Sequence, residues 1–372
     1  SQTVGVHQII PPSPPRSTPL LIYLGMRNYD PASPKDIERF AKRIERMDLG
    51  DATPSFAGLD EPLGTRSKAL LGHTLEHYFG IPRNNSARPD FPEAGVELKT
   101  VPLAARRDGL GGYRIKERTK VCGIDFNKLI EQTWKTSQAH HKLEKVLFIF
   151  ILPGKAPRDS RVEKVLLWDM PPDLEPTLEN DWQEVHDKVA AGKAEFISEA
   201  DGRYLGASTA GAGRGDKATQ PKSKEPAPRR AFSLKPPFTR TLYLTESLRE
   251  NLGLSAQTPL EAAVLGRLHD YAGRSIGDLA KKFEIPRTYD YQFCARVVRM
   301  AIGAKHGDAR LKELREAGIQ VKTVKIGPNG MPFESMSFPA FKYAELVKED
   351  WEHSTLKRIL SRMLLVPMTG GP

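Results

Sequence analysis

The chain contains an internal repeat, and this repeat limits the folds that it can adopt more than any other feature. The segment Ala94–Val101 (AGVELKTV) recurs as Ala317–Val324 (AGIQVKTV). Further along, Trp134–Leu147 matches Trp351–Leu364 without a gap. Two matched blocks in the same order indicate that one domain has been duplicated in tandem.

Features before each block support the same alignment. Gly80 and Gly303 end predicted helices and lie the same number of residues before the repeated segment. Ser33 with Pro34, and Thr258 with Pro259, provide the N-cap and the first helical residue at the start of each copy. Helix–strand alternation of this kind predicts an α/β fold, with two tandem domains that each have a mixed central sheet flanked by helices.

The expected divisions are an N-terminal extension over 1–30, a first domain over 31–250 and a second over 251–372. In the first domain we predict helices over Ser67–Phe79 and near Trp182–Ala191, and strands over Val96–Pro102, Val146–Leu152 and Val165–Trp168. The second copy ends soon after its Trp351–Leu364 block and lacks counterparts of residues 165–240, so we expect a truncated repeat.

Composition narrows the class of partner. The 372 residues include 56 Lys and Arg against 46 Asp and Glu, a formal charge of +10, which favours a polyanion such as nucleic acid. The sequence has neither an apolar run long enough to span a bilayer nor a secretory signal, and its two cysteines have no disulfide or zinc spacing. We expect a cytoplasmic protein that does not associate with membranes.

Residues 206–230 are rich in Gly, Ala, Pro and basic residues and show no periodicity. We predict a flexible basic loop. One interpretation is a solvated linker; the other is an arm that becomes ordered against phosphates.

The first copy carries a pattern suited to metal-dependent hydrolysis. Glu97 and Lys99 are two residues apart on a predicted strand and therefore leave the same face. Asp90 precedes this strand, where a turn can bring its carboxylate beside Glu97. Two carboxylates suit the oxygen shell of Mg²⁺, which activates water and polarises a phosphate, while a lysine stabilises the developing charge.

Other interpretations of these residues stay open. Asp, Glu and Lys at these spacings also occur on ordinary salt-bridged surfaces. Glu76, on the preceding helix, is a further candidate for a metal or water contact. His140 and His141 are not assigned to catalysis, because exposed or structurally bonded histidines are commoner than catalytic ones.

Taken with its neighbours, the pattern resembles the MutH-like endonucleases, which have the restriction-endonuclease-like fold. The resemblance covers nearly all of residues 34–250. It depends on several blocks, which are Lys68–Glu76, Asp90 with Val96–Thr100, Lys135–Leu147, Asp181–Trp182, Gly202–Leu205 and Arg230–Lys235.

The resemblance implies roles for individual residues. Asp90, Glu97 and Lys99 are expected to be catalytic, with Asp90 and Glu97 as ligands of Mg²⁺, and Glu76 and Lys142 are expected to assist. The residues expected to contact DNA, from this resemblance and from the basic loop, are Lys68, Ser208, Arg214, Lys217, Arg229, Arg230, Ser233 and Lys235.

The chain departs from the single-domain mismatch-repair members of that family. It has a second copy, Ser208-Thr209-Ala210 where they carry Arg-Pro-Lys, and Ser233 where they place a tyrosine. These differences favour the tandem branch, the type II restriction endonucleases that cut GATC.

The second copy lacks most of the cluster. The aligned pairs are Glu97 and Gln320, Glu76 and Arg299, Lys142 and Ile359, Lys68 and Tyr291, Asp90 and Glu313, and Lys99 and Lys322. Two unit charges 4 Å apart interact by roughly 4 kcal/mol at an effective dielectric of about 20, so losing the anion at Glu97 and placing a cation at the Glu76 position beside a divalent ion costs on the order of 10 kcal/mol or more. We therefore expect no Mg²⁺ in this copy. Its alternative roles are a regulatory DNA site, half of a pseudo-dimer, or structural support.

These features predict a type II restriction endonuclease that acts on double-stranded DNA with one active site per chain. The chain is expected to be monomeric in isolation and to pair transiently, or to engage twice, when it cuts both strands. A mismatch-repair nicking endonuclease and a non-catalytic DNA-binding protein are the alternatives.

Overall fold

The computed structural model describes residues 28–64, 67–82, 87–105, 113–172, 174–211, 215–251, 260–288, 293–303, 320–333, 335–336, 338, 343, 347, 360 and 363–369. Most of the expected N-terminal extension therefore lies outside the described residues. Up to residue 251 the elements, in chain order, are α1 (Pro34–Lys42), α2 (Leu49–Ala52), α3 (Ser67–Phe79), β1 (Glu97–Ala105), β2 (Tyr113–Ile115), β3 (Thr119–Gly123), α4 (Phe126–Leu129), α5 (Gln138–Leu143), β4 (Lys145–Leu152), β5 (Arg161–Asp169), α6 (Glu175–Ala190), β6 (Leu205–Thr209), β7 (Lys217–Gln220), β8 (Ser223–Pro228), β9 (Arg230–Leu234) and α7 (Pro236–Asn251).

The main sheet is mixed and has the order β2-β1-β4-β5. Strands β1 and β4 are parallel, whereas β2 and β5 run antiparallel to their neighbours. Strand β4 lies in the centre and its sequence is almost entirely apolar, as expected for a strand covered on both faces.

Two apolar clusters cover the two faces of this sheet. Val146, Phe148 and Phe150 of β4 belong to the cluster that includes α6 and residues of strands β3, β6 and β9. Leu147 and Ile149 point the opposite way, into the cluster formed with α1 and α3. Alternate side chains of β4 thus point to opposite faces of the sheet, one covered by α6 and the other by α1 and α3. The neighbouring strand β1 has the same two faces.

Helix boundaries follow local rules. Ser33 caps α1 by accepting a hydrogen bond from the Asp36 amide, and Pro34 is its first residue, as predicted. Helix α3 ends before Gly80, whose φ of 65° is the left-handed conformation expected at a helix end. Helix α6 begins at Glu175, several residues earlier than predicted.

The prediction of a flexible loop over residues 206–230 is wrong for most of this segment. Strands β6 and β3 both pair with β9 in an antiparallel sheet, and β7 and β8 form a hairpin. Small side chains allow this packing, since Ala207 and Ala227 are fully buried. Gln220 contributes by accepting a hydrogen bond from the Ala194 amide at 2.8 Å.

The second half repeats part of this arrangement. Its elements are α8 (Leu260–His269), α9 (Ile276–Lys282), α10 (Phe293–Ala301), β10 (Gln320–Ile326) and β11 (Met363–Thr369). Strands β10 and β11 are parallel, with Gln320 opposite Met363. In the first half Glu97 is opposite Val146. The sequence alignment equates these same positions, so both copies have the same strand register.

The mixed α/β architecture predicted from the sequence is confirmed. In the second half, Val298 of α10 packs against Val321 and Leu364, much as α3 packs on β1. The positions of the domain boundaries stay predictions. Among the described residues, no helix has the length and apolar character needed to cross a membrane.

Helix α5 is short and depends on its N-cap residue, Ser137. Ser137 accepts a hydrogen bond from the His140 amide at 3.1 Å and donates one to the Trp134 carbonyl at 2.7 Å. We predict that Ser137→Ala lowers the free energy of unfolding by about 1–2 kcal/mol, because a buried cap is lost. Urea denaturation measures this loss, and exposed Ser55, changed to Ala, is the control. Equal stability of the two variants would contradict the assignment.

Candidate active site

The loop before β1 brings two acidic side chains together. Phe91 and Val96 exchange backbone hydrogen bonds of 2.9 and 3.1 Å, and Gly95 turns the chain with a φ of 64°. This closed loop places Asp90 beside the first residues of the strand, where its Oδ2 accepts a hydrogen bond from the Leu98 amide at 2.9 Å.

Glu97 lies at the centre of the site and is only 1% exposed. Its Oε1 is 2.6 Å from Nζ of Lys99, which leaves the same face of β1. Nζ of Lys142, from α5, lies 2.9 and 3.1 Å from the two carboxylate oxygens. The buried anion is therefore compensated by two cations, as a buried charge requires.

Strand β3 forms another wall of the site. The Val121 carbonyl accepts a hydrogen bond from Lys99 at 3.4 Å. Burial raises the pKa of the adjacent Cys122 thiol to about 12, so this side chain is a neutral, apolar part of the wall. Sequence reasoning did not identify β3 as part of the site, because its contribution depends on pairing with β9, far away in the chain.

The electrostatics of Asp90 differ from those of Glu97. Burial is the main cause that raises the pKa of Asp90, and the nearby Glu97 carboxylate adds to the effect. The amide of Leu98 and the ammonium groups of Lys99 and Lys142 act in the opposite direction. A cation bound between the carboxylates of Asp90 and Glu97 would add to this effect and favour the ionised form of Asp90.

The donors present fit a hard divalent cation. Two carboxylates converge at one end of β1, and they are oxygen ligands of the kind that Mg²⁺ prefers. Oε1 of Glu97 accepts hydrogen bonds from Lys99 and Lys142, whereas within the described residues Oε2 accepts only one, from Lys142, and so keeps a lone pair for an ion.

Glu76 lies half-buried on α3, which packs on β1. A Cβ at Gly72, one turn earlier, would lie 3.9 Å from Oγ1 of Thr100, an ordinary contact distance that shows how closely α3 approaches β1. The assisting role of Glu76 stays a prediction.

The side chains predicted to contact DNA fall into distinct groups. Lys217 is exposed at the start of the β7–β8 hairpin. Arg229 pairs with Asp216 at 2.8 Å, and Arg230 lies 3.5 Å from Oγ1 of Thr209. Arg214 and the side chain of Lys68 lie outside the described residues.

Three other predicted contacts are bonded within the protein. Ser208 and Ser233 are 3.4 Å from the Ala231 and Gly206 carbonyls, respectively, and Ser233 is fully buried. Lys235 donates to the carbonyls of residues 200 and 202, and burial lowers the pKa of its ammonium group. In this conformation Ser233 bonds β6 itself, and Lys235 bonds the loop before β6.

The loop before β6 is held by a carboxylate of α6, an interaction that the sequence did not reveal. Asp181 of α6 is buried, and its carboxylate accepts hydrogen bonds from the Arg203, Tyr204 and Leu205 amides at 2.6–2.8 Å. One carboxylate thereby fixes the start of β6. The pairing joins residues more than twenty positions apart, and no local pattern indicates it.

The described part of the second copy has a different set of charges. Lys322 lies on β10, and its ammonium group is 6.0 Å from the centre of the Phe338 ring. Arg299 lies on α10, the helix that corresponds to α3. Tyr291, Glu313, Ile359 and the side chain of Gln320 lie outside the described residues.

The sheet order, the helices on both faces and the acidic–lysine cluster at the start of β1 are those of the restriction-endonuclease-like fold. The family model described as the DNA mismatch repair enzyme MutH matches residues 79–181 and 302–371, and each range includes one copy of the repeated strand. The chain belongs to the MutH family.

Individual relatives agree with this assignment. The chain is 29% identical over 312 residues to the type II restriction enzyme Sau3AI of Staphylococcus aureus, an alignment that covers 78% of this chain and 62% of that enzyme. It is 33% identical over 184 residues to the DNA mismatch repair protein MutH of Yersinia enterocolitica, covering 47% of this chain and 76% of the relative. The corresponding Escherichia coli protein is 34% identical over 171 residues, covering 44% and 70%.

The raised pKa of Asp90 means that ionised Asp90 opposes folding in the metal-free protein. We predict that Asp90→Asn raises the free energy of unfolding by about 1 kcal/mol at neutral pH, since Asn keeps the acceptor for the Leu98 amide without the charge. Native Asp90 takes up its proton at a higher pH than the unfolded chain, so the gain should shrink as pH falls through this range.

Thermal unfolding in EDTA at several pH values measures this effect. Asp60→Asn is the control, because the hydrogen bond from Arg158 lowers the pKa of Asp60 and its charge does not oppose folding. If Asp90→Asn is less stable than the wild type at neutral pH, the electrostatic assignment of Asp90 is wrong.

Proposed function

We propose that this protein is a divalent-metal-dependent endonuclease that hydrolyses phosphodiester bonds in double-stranded DNA. The observation that carries the proposal is the convergence of Asp90, Glu97 and Lys99, with Lys142 on the far side of Glu97. The relatives named as a restriction enzyme and as mismatch repair proteins support an activity on DNA.

Asp90 and Glu97 are the residues that would hold the ion, and Mg²⁺ is the ion that we propose. Such an ion supplies positive charge to the scissile phosphate and lowers the pKa of the attacking water. The buried site keeps these charges in surroundings of low dielectric constant, where each interaction is stronger than in water.

The two lysines have complementary tasks. Lys99 is partly exposed, so its ammonium group can leave Glu97 and bind a phosphate oxygen instead. There it would stabilise the negative charge that develops during hydrolysis. Lys142 is buried more deeply and bonds both oxygens of Glu97, which fixes the orientation of that carboxylate. Glu76 assists from α3 as a further contact to water or the ion.

A type II restriction activity at GATC is the specific form of this proposal. Similarity to a type II restriction enzyme over 78% of the chain supports it. The specificity for GATC follows from the family resemblance. We further propose a cytoplasmic location, which the free cysteines Cys122 and Cys294 support.

The second copy has a separate role in this proposal. It binds DNA without cutting it and acts as an allosteric effector of the first copy. The shared register of β1–β4 and β10–β11 supports a common fold, and the replacement of Glu97 by Gln320 supports loss of hydrolysis. The chain is monomeric in isolation and pairs transiently on DNA.

Digestion of an unmethylated supercoiled plasmid tests the proposed activity. With Mg²⁺ and no other protein we expect linear fragments whose sequenced ends lie at GATC, and no cleavage in EDTA. Lys99→Ala should reduce the rate at least about 10²-fold, whereas duplex binding persists. Lys155→Ala is the control, because this exposed lysine follows the opposite end of β4.

Each alternative gives a distinct result. Nicked circles that accumulate without linear product would favour the mismatch-repair activity. Binding without any cleavage under all metal conditions would favour a non-catalytic DNA-binding protein. Cleavage by Lys99→Ala at the wild-type rate would show that Lys99 has been misassigned.

The hairpin of β7 and β8 gives a prediction about binding alone. Lys217 is exposed there, so we expect Lys217→Gln to remove one phosphate contact. The slope of log K against log salt concentration should then become shallower by about 0.9. Fluorescence anisotropy measures this slope in the Lys99→Ala background, which binds DNA but cuts it slowly. Lys155→Gln is the matched control. An unchanged slope would place the hairpin outside the interface.

A further inference from the structure

A cluster of potential metal ligands lies on α5, apart from the carboxylates of the proposed reaction. His140 and His141 belong to this helix, and Glu144 is the residue that ends it. One ligand atom from each of the three lies within 4.8 Å of the others. The proposed hydrolysis uses none of them.

His140 differs from an ordinary surface histidine in its surroundings. It is only 7% exposed, whereas His141 and Glu144 are exposed. The His140 ring meets the Trp134 ring edge-on at a centroid distance of 5.1 Å. This packing holds the imidazole in one place before any ion arrives.

Glu175 determines which nitrogen of His140 carries the proton. Its Oε1 lies 3.1 Å from His140 Nε2 and also accepts hydrogen bonds from Trp134 Nε1 and the Lys135 ammonium group. A carboxylate oxygen that accepts from these donors faces an N–H, so the proton lies on Nε2. The lone pair of His140 is then on Nδ1.

Nδ1 of His140 is buried, and it has no hydrogen-bond partner within the described part of the chain. Buried polar atoms of folded proteins are nearly always bonded, so an acceptor in this state points to a ligand. A histidine whose other nitrogen donates to a carboxylate is also the usual arrangement of a metal-ligating histidine.

We propose that His140, His141 and Glu144 bind a transition-metal ion of the Zn²⁺ class, and that Glu175 orients His140 through Nε2. Imidazole nitrogens favour such ions over Mg²⁺, which prefers oxygen. Three protein ligands leave a coordination position for water on the exposed side. This site is chemically distinct from the oxygen site at Asp90 and Glu97.

The position of the cluster connects it to the proposed active site. Lys142 lies between His141 and Glu144 in the chain and reaches Glu97 from the other side of α5. An ion bound by residues on both sides of Lys142 would fix the last turn of this short helix. The ion would thereby hold the ammonium group that orients Glu97.

Titration with Co²⁺, a spectroscopic substitute for Zn²⁺, tests the proposal on the full chain without an affinity tag. The Asp90→Asn background keeps the ion from the carboxylate pair. We expect visible absorption that saturates at one equivalent, is lost when Zn²⁺ is added and survives excess Mg²⁺. His141→Ala and Glu144→Ala, both exposed positions, should each weaken binding at least about tenfold.

Glu175→Gln should weaken binding by about tenfold while leaving the form of the cobalt spectrum unchanged, because Glu175 orients a ligand without touching the ion. His269→Ala, at an exposed histidine of α8, is the control and should bind as tightly as the background protein. Circular dichroism confirms that each variant is folded. The proposal fails if no saturable site is found, if Mg²⁺ displaces the cobalt, or if His269→Ala and His141→Ala have the same effect.

Discussion

The rest of this structure depends on one buried carboxylate that is held between two ammonium groups. Glu97 is withdrawn from water at the start of β1, and Lys99 and Lys142 together supply its compensation. A buried anion without such partners destabilises a protein by about 3–5 kcal/mol, so the elements that carry the lysines must be placed accurately. The register of β1 against β4, the capped start of α5 and the closed loop before β1 all serve this placement.

The same constraint accounts for how the second copy differs. Where the first copy has Glu97 and Lys142, the second has Gln320 and Ile359. A neutral amide needs no buried cation, and a buried lysine without an anion would itself be unfavourable. The two substitutions are therefore coupled: loss of the carboxylate removes the reason for the lysine. Lys322 is retained on β10, where its side chain is partly exposed and lies near the Phe338 ring. The parallel strand pair persists although the second copy has no glutamate at the position of Glu97 and no lysine at the position of Lys142.

The sequence predicted those parts of the molecule that local rules control. Capping residues located α1 and α3, and the apolar runs located β1, β4 and β5, because each depends on a few neighbouring residues. Strand β6 was missed since it pairs with β9, which is not adjacent in the chain, and β7 and β8 were missed since their sequences are short and polar and that of β8 contains two prolines. Lys142 was predicted only from the family resemblance, because its contact with Glu97 joins residues 45 positions apart. The burial of Ser233 likewise depends on its strand lying between β3 and β6.

Among the described residues, the cluster of two carboxylates and two lysines occurs once, and this restricts how the endonuclease that we propose can cut a duplex. The two scissile phosphates of a palindromic site are equivalent, so cleavage of both strands requires the same donors at each. If the second copy lay over the other strand, it would present Lys322 and Gln320 where the first presents Lys99 and Glu97. A lysine can bind a phosphate, but an amide beside it cannot replace the negative charge that holds a divalent ion. Under the proposed function, the second strand must therefore meet the first copy again, either from a second chain or after the same chain has turned on the DNA.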